Sequence, residues 1–155
     1  MSLFIATGSN LGERFKNLKE AKDILSSTFS LIAESRIYES PAIDFENQPD
    51  FYNQVLEFKI PTMDPSQSMQ YLLEIEKQMG RNRLIPKGPR IIDLDILFWD
   101  SLAIKSEHLE LPHPRLFSRS FVVLPLSELP GFKKLQEKFS FTFSFHNSAT
   151  ALILK

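Results

Sequence analysis

Two hydrophobic rhythms alternate along the first hundred residues. LFIATG (3–8) reads as a short buried strand, and Phe15, Leu18, Ala21, Ile24 and Leu25 then recur near helical spacing. Asn10, with Glu13 three residues later, is placed to cap that helix. Residues 30–40 alternate in part and carry β-branched and aromatic side chains, which predicts a strand. NQVLEFKI (53–60) alternates more cleanly, with Leu56, Phe58 and Ile60 on one face. Asp64-Pro65 opens a helix, with Pro65 in its first position. Met69, Leu72, Leu73 and Met79 form its apolar stripe, and Gly80 ends it. Residues 91–99 give the next strand.

The resulting order, β-α-β-β-α-β, is the split βαβ or ferredoxin-like pattern of an α+β fold. Two connections, about 41–52 and about 80–90, are long for a compact domain, where loops near ~12 residues are often functional. Both lead into strands of one sheet, so a cleft between them is predicted. Beyond residue 100 the pattern loosens: LELPHPRLFSRSFVVLPLSEL starts extended and predicts a short helix near 119–127. Phe139, Phe141, Phe143 and Phe145 keep strict period two, which predicts a strand with one buried face. The alternative is an edge that pairs with another copy.

A length of 155 residues fits one domain with one good core. The net charge of −1 gives no global attraction for nucleic acid or an anionic membrane, so phosphate recognition would have to be local. The absence of cysteine excludes disulfides, thiol nucleophiles and Cys-zinc sites, and fits a reducing compartment. No basic, apolar leader opens the sequence, and no apolar run nears the ~20 residues that span a bilayer. The expectation is a soluble cytoplasmic chain.

The chemistry concentrates in Gly88-Pro89-Arg90-Ile91-Ile92-Asp93-Leu94-Asp95-Ile96-Leu97-Phe98. In a strand, Asp93 and Asp95 share one face, with Ile92, Leu94, Ile96 and Phe98 on the other. Paired carboxylates beside a core strand are costly unless a cation answers them. Arg81, Arg83, Lys87 and Arg90 lie just upstream, with no acid between Gly80 and Arg90. Such juxtaposed charge suits Mg²⁺ and a polyphosphate together. Guanidiniums grip phosphoryl oxygens through their fork of donors, and a loop that carries them can close over a nucleotide. His113 stands between two prolines, and Arg119 lies near a predicted helix start, so both are candidate phosphate contacts. Phe51 and Phe121 are either plain core or the two faces of a slot for a flat heterocycle, with Asn53 on its edge. A D-x-D nucleotidyltransferase and a non-catalytic binding module are the rival readings of these residues.

Taken together, these blocks resemble the 6-hydroxymethyl-7,8-dihydropterin pyrophosphokinase family. The resemblance runs through ATGSNLG (6–12), NQPDFYN (47–53), EKQMGRNR (76–83), GPRIIDLDILF (88–98) and LPHPRLFSRSFVVLPL (111–126), in the family's order. It implies a single pyrophosphokinase domain over 1–155, a three-layer sandwich that passes pyrophosphate from ATP to the pterin's hydroxymethyl oxygen and leaves AMP. By position, Asp93 and Asp95 would hold two Mg²⁺ ions. Arg81, Arg83, Arg90, His113 and Arg119 would contact phosphates, with Arg81, Arg90 and Asp95 as the catalytic set. Glu76 and the backbone at Ile96 would complete the nucleotide site. Phe51 and Phe121 would stack on the pterin. Gly8, Asn53 and the Ser40-Pro41-Ala42-Ile43 loop would complete its slot. ATP and the pterin are the implied partners. The chain is expected to be a monomer, with self-association through the Phe-rich tail as the alternative that its own pattern offers. Several positions depart from the pattern. The loop from Arg83 to Gly88 is short, and Lys87 stands where some members have tryptophan. Phe51 replaces a tyrosine also found there, and Leu73 occupies a position that is polar in some relatives. The tail after Lys138 matches nothing in the pattern.

Overall fold

The computed structural model describes residues 1–43, 47–81 and 88–152, and its spine is strand β1 (Ser2–Ser9). Strands β4 (Phe51–Lys59) and β5 (Asp93–Trp99) flank it, both antiparallel. On the far side of β4, strands β2 (Leu31–Glu34) and β3 (Tyr38–Ser40) pair with it one after the other, and β8 (Thr150–Ala151) extends the sheet beyond β3. Helices α1 (Arg14–Thr28) and α2 (Pro65–Gln78) supply one apolar core. On the opposite face lie a 3₁₀ turn (Leu116–Ser118) and helices α3 (Ser120–Leu126) and α4 (Phe132–Lys138). Helices, sheet and helices make three layers of a mixed α/β chain, the mixed class that the periodicity predicts and the layering that the resemblance implies. A small hairpin, β6 (Ile104–Lys105) with β7 (Glu110–Leu111), stands apart from the main sheet.

Alternation along the central strands feeds both cores. Leu3 and Ile5 of β1 join Leu56 and Phe58 of β4, Leu18 and Leu25 of α1, and Leu72 and Ile75 of α2. Phe4 and Val55 turn the other way, toward Val122 and Leu126 of α3 and Phe132 and Leu135 of α4. Each such fully buried side chain stabilises by roughly 1.5–3 kcal/mol. Among the described residues no helix is long and apolar enough to cross a membrane.

Tertiary contacts override the local pattern in several places. The single strand predicted over 30–40 is interrupted, because Ser35 exchanges bonds with β4: its N–H donates to Val55 O, and its Oγ accepts the Val55 N–H. Asn10 does not cap α1; Glu13 holds the cap position without a side-chain bond. Phe15 and Leu73 are exposed, and Ile75 takes the core position given to Leu73. Asp64 does form a capping box with Gln67, and Gly80 follows α2 at φ +93°. On β5, Ile96 pairs with Ile5 and Phe98 with Phe4, so Leu97 is an extra residue, a β-bulge. The bulge turns Phe98 to the face opposite Leu94 and Ile96, contrary to the simple alternation. The tail over 139–145 is extended but joins no sheet; only β8, further on, does.

Candidate active site

Directly paired residues of neighbouring strands point to the same face. Across β1 and β5, Gly8 pairs with Asp93 and Ala6 with Asp95; across β1 and β4, Gly8 pairs with Asn53. These positions floor a cleft that opens to solvent on the α3 side of the sheet. Gly8 keeps that floor low: a Cβ there would sit 3.2 Å from Asn53 Oδ1 and 3.7 Å from Phe51 Cδ1.

The two aspartates meet different partners. Arg81 Nη1 donates to Asp93 Oδ1 at 2.9 Å and to Glu76 Oε2 at 2.8 Å. Arg90 Nη1 donates to Asp93 Oδ2 at 3.2 Å. Glu76, itself buried on α2, also accepts the Leu94 N–H at 2.7 Å and so pins the end of α2 to β5. Asp95 carries no ion pair among the described residues. Burial pushes its pKa up to about 7, and the charges of Asp93 and Glu76 add to the rise, while Arg119 and Arg81 oppose it.

The opposite wall is aromatic and basic. Phe51 lies under Arg90, with the guanidinium carbon 5.1 Å from the ring centre, and Phe121 lies 5.8 Å from that of Arg119. Asn53 Nδ2 donates to Ser40 Oγ at 2.7 Å, and this buried bond fixes its amide toward the cleft beside Ser40–Ile43. Burial lowers the His113 pKa, and Arg119 and Arg115 lower it further, which keeps the imidazole neutral near pH 7. Its Nδ1 accepts the Arg115 N–H at 3.4 Å.

Asn10 has a role that the sequence did not disclose. Its N–H donates to Arg90 O at 3.1 Å, and its Oδ1 accepts the Arg90 N–H at 2.8 Å. Its Nδ2 donates to Gln48 Oε1 at 2.8 Å and to Pro49 O at 3.0 Å. One buried side chain thus joins the segment before β4 to the segment before β5.

Hard oxygens, guanidiniums and a pair of rings in one cleft can hold a divalent cation, a polyphosphate and a flat heterocycle together. The sequence model of one protein family, described as 7,8-dihydro-6-hydroxymethylpterin-pyrophosphokinase (HPPK), matches residues 4–131. The chain belongs to the HPPK family. It is 42% identical over 131 residues to the "Folic acid synthesis protein fol1" of Pneumocystis carinii; the match takes in 84% of this chain and 18% of that protein. It is 37% identical over 128 residues to the 2-amino-4-hydroxy-6-hydroxymethyldihydropteridine pyrophosphokinase of Bacillus subtilis, covering 81% of this chain and 76% of that one. The protein of the same name from Aquifex aeolicus is 36% identical over 128 residues, with 83% and 79% covered.

Within this HPPK chain, most residues singled out in the sequence converge. Gly8, Ser40, Pro41, Ala42, Ile43, Phe51, Asn53, Arg90, Asp93, Asp95, His113, Arg119 and Phe121 all line the one cleft. Arg81 and Glu76 stand behind Asp93 as its support. The Ile96 side chain faces the helical core, away from the cleft. Arg83 and Lys87 lie outside the described residues. Gln48, Leu97, Leu116 and Val122 line the cleft without having been singled out. The last three are apolar, and a core strand or helix would use the same residues, so no local signal separates them.

Proposed function

We propose that this chain transfers pyrophosphate from MgATP to the hydroxymethyl oxygen of 6-hydroxymethyl-7,8-dihydropterin. The observation that carries the reading is the gathering of Asp93, Asp95, Arg90, Phe51 and Phe121 in one cleft, with Arg81 bonded to Asp93. The hydroxyl oxygen attacks the β-phosphorus of ATP, the bond from that phosphorus to the α-phosphate oxygen breaks, and AMP leaves. The hydroxyl proton passes to solvent.

The donor set fits Mg²⁺. Asp95 is a half-buried carboxylate with no ion pair among the described residues, and Asp93 lies two residues away on the same face. Among the described residues no group of three or more acidic, His or Cys side chains could hold a metal alone. Asp93 and Asp95 would hold two Mg²⁺ ions, with phosphate oxygens and water supplying the remaining ligands. Bound there, Mg²⁺ supplies neutralisation of the triphosphate and a lower pKa for the attacking hydroxyl. Arg81 and Arg90 hold Asp93 in the ligand-free chain, and in the loaded site they turn to phosphate oxygens and stabilise charge on departing AMP. Phe51 and Phe121 stack on the pterin, Asn53 bonds its edge, and the region 1–155 acts as one pyrophosphokinase unit. The relatives' names support this substrate assignment, and the cleft's chemistry matches it.

The test is AMP formation from MgATP with and without the pterin, at varied Mg²⁺. AMP formed only with the pterin, one for each pterin pyrophosphate, is the expected result. Release of inorganic pyrophosphate in place of AMP would instead identify a nucleotidyltransferase, and no turnover from folded protein would reject both.

A further inference from the structure

The family match ends at residue 131, yet the chain continues and packs back on the 3₁₀ turn, the start of α3 and α4. Phe139 and Phe141 anchor this extension on the second core, with ring centres 5.2 Å from Phe98 and 4.8 Å from Phe132 respectively. Beyond them, Asn147 reaches the start of α3. Its Oδ1 accepts the Ser120 N–H at 2.7 Å and the Ser120 hydroxyl at 2.5 Å, and its Nδ2 donates to Ser118 O at 2.8 Å. The chain then pairs with the free edge of β3, where Leu152 N–H donates to Ile37 O at 2.8 Å.

The local sequence explains why this contact matters. Arg119 occupies the cap position of α3 and makes no side-chain cap bond. An arginine has no acceptor with which to make one. The buried Ser120 N–H and hydroxyl therefore depend on an oxygen from 27 residues away. Ser120 lies between Arg119 and Phe121, and both of these line the cleft. A helix start without its cap frays, and residues on either side of it lose their fixed direction.

We propose that residues 139–152 form a strap over the cleft wall and that Asn147 is a positioning residue for Arg119 and Phe121. Asn147 touches neither substrate; it sets where the guanidinium and the ring stand. The inference rests on the nucleotide and pterin reading of the cleft.

The experiment compares the wild-type chain with Asn147→Ala and Asn147→Asp, assayed well below their melting temperatures. Asparagine to alanine removes both bonds, and kcat/KM for the pterin falls about tenfold, most of it in KM, in line with the usual loss at a helix cap. Asparagine to aspartate keeps the acceptor for Ser120 and recovers most of that loss. A purely structural contact would lower the melting temperature of the alanine variant and leave KM and kcat of the folded protein unchanged; that result, or an aspartate variant as impaired as alanine, would overturn the inference. Should the alanine variant not fold, Asn147→Ser, whose shorter hydroxyl cannot bridge Ser118 and Ser120, takes its place under the same criteria. An inactive wild-type chain would instead reject the pyrophosphokinase reading itself.

Discussion

Asp93 and Asp95 sit two residues apart on one strand face, yet one is clasped by two guanidiniums and the other by none among the described residues. The proton affinity of Asp95 follows from that difference. Its pKa is about 7 in the fold against an ordinary 3.8, so the ligand-free fold loses stability as pH rises between those values. Asp95→Asn removes the buried charge, and the melting temperature of the ligand-free chain above neutral pH rises by on the order of 5 °C, read by calorimetry. The same variant loses turnover by at least about a hundredfold at saturating Mg²⁺, because the amide cannot replace a metal-bound carboxylate. Stability and activity moving in opposite directions is the signature of a site group; a drop in both would contradict the metal role. The shared face of the pair was legible from spacing alone. The isolation of Asp95 was not, because it depends on Arg81, held by a carboxylate on another element, choosing Asp93.

Elements were legible wherever periodicity and end signals agreed, as in α2 with its Asp64 cap and Gly80 stop. They were misread where a contact distant in sequence breaks the period. The bulge at Leu97 and the interruption at Ser35 are set by the partner strands, and neither residue is unusual in its own segment. The turn into α4, on which the sequence reading made no prediction, is also set by a contact distant in sequence. Gly131 donates its N–H to the buried Glu57 of β4 at 3.0 Å, and Glu57 also accepts the Ser2 hydroxyl at 2.6 Å. A Cβ at Gly131 would meet Glu57 Oε2 at 2.6 Å and Phe4 Cζ at 2.7 Å. Gly131→Ala should therefore destabilise the chain by about 1–3 kcal/mol in denaturant titrations, as overpacking does in closed cores. A change within a few tenths of that scale's origin would mean the turn can shift freely.

At the scale of the molecule, one sheet serves two helical layers, and the cleft opens only on the layer built after residue 100. Pattern reading found the sheet and the first layer, whose helices are long and periodic. It found less of the second, whose helices have seven residues each and whose rings pack from an extended tail. The layers are also tied by charge. Glu128, just past α3, accepts the Arg36 N–H at 2.8 Å, the Arg36 Nε at 3.0 Å and the Tyr38 hydroxyl. Burial alone would raise its pKa, but the bonds from Tyr38 and Arg36 outweigh it and leave the carboxyl below its ordinary 4.5. Its contribution is thus present above pH 4.5 and is lost as pH falls through the lowered value. Glu128→Gln should flatten that acid limb in thermal melts at stepped pH; an unchanged limb would assign the loss to other carboxyls.

The bonds of Asn10 have a consequence for motion. Two rims that hang from one pivot jitter in phase. The gap between the Gln48 side and the Arg90 side should then fluctuate less than either rim's height above the sheet. The mouth should therefore act as a caliper with a common pin, its opening gauged at the root by the bonds of Asn10.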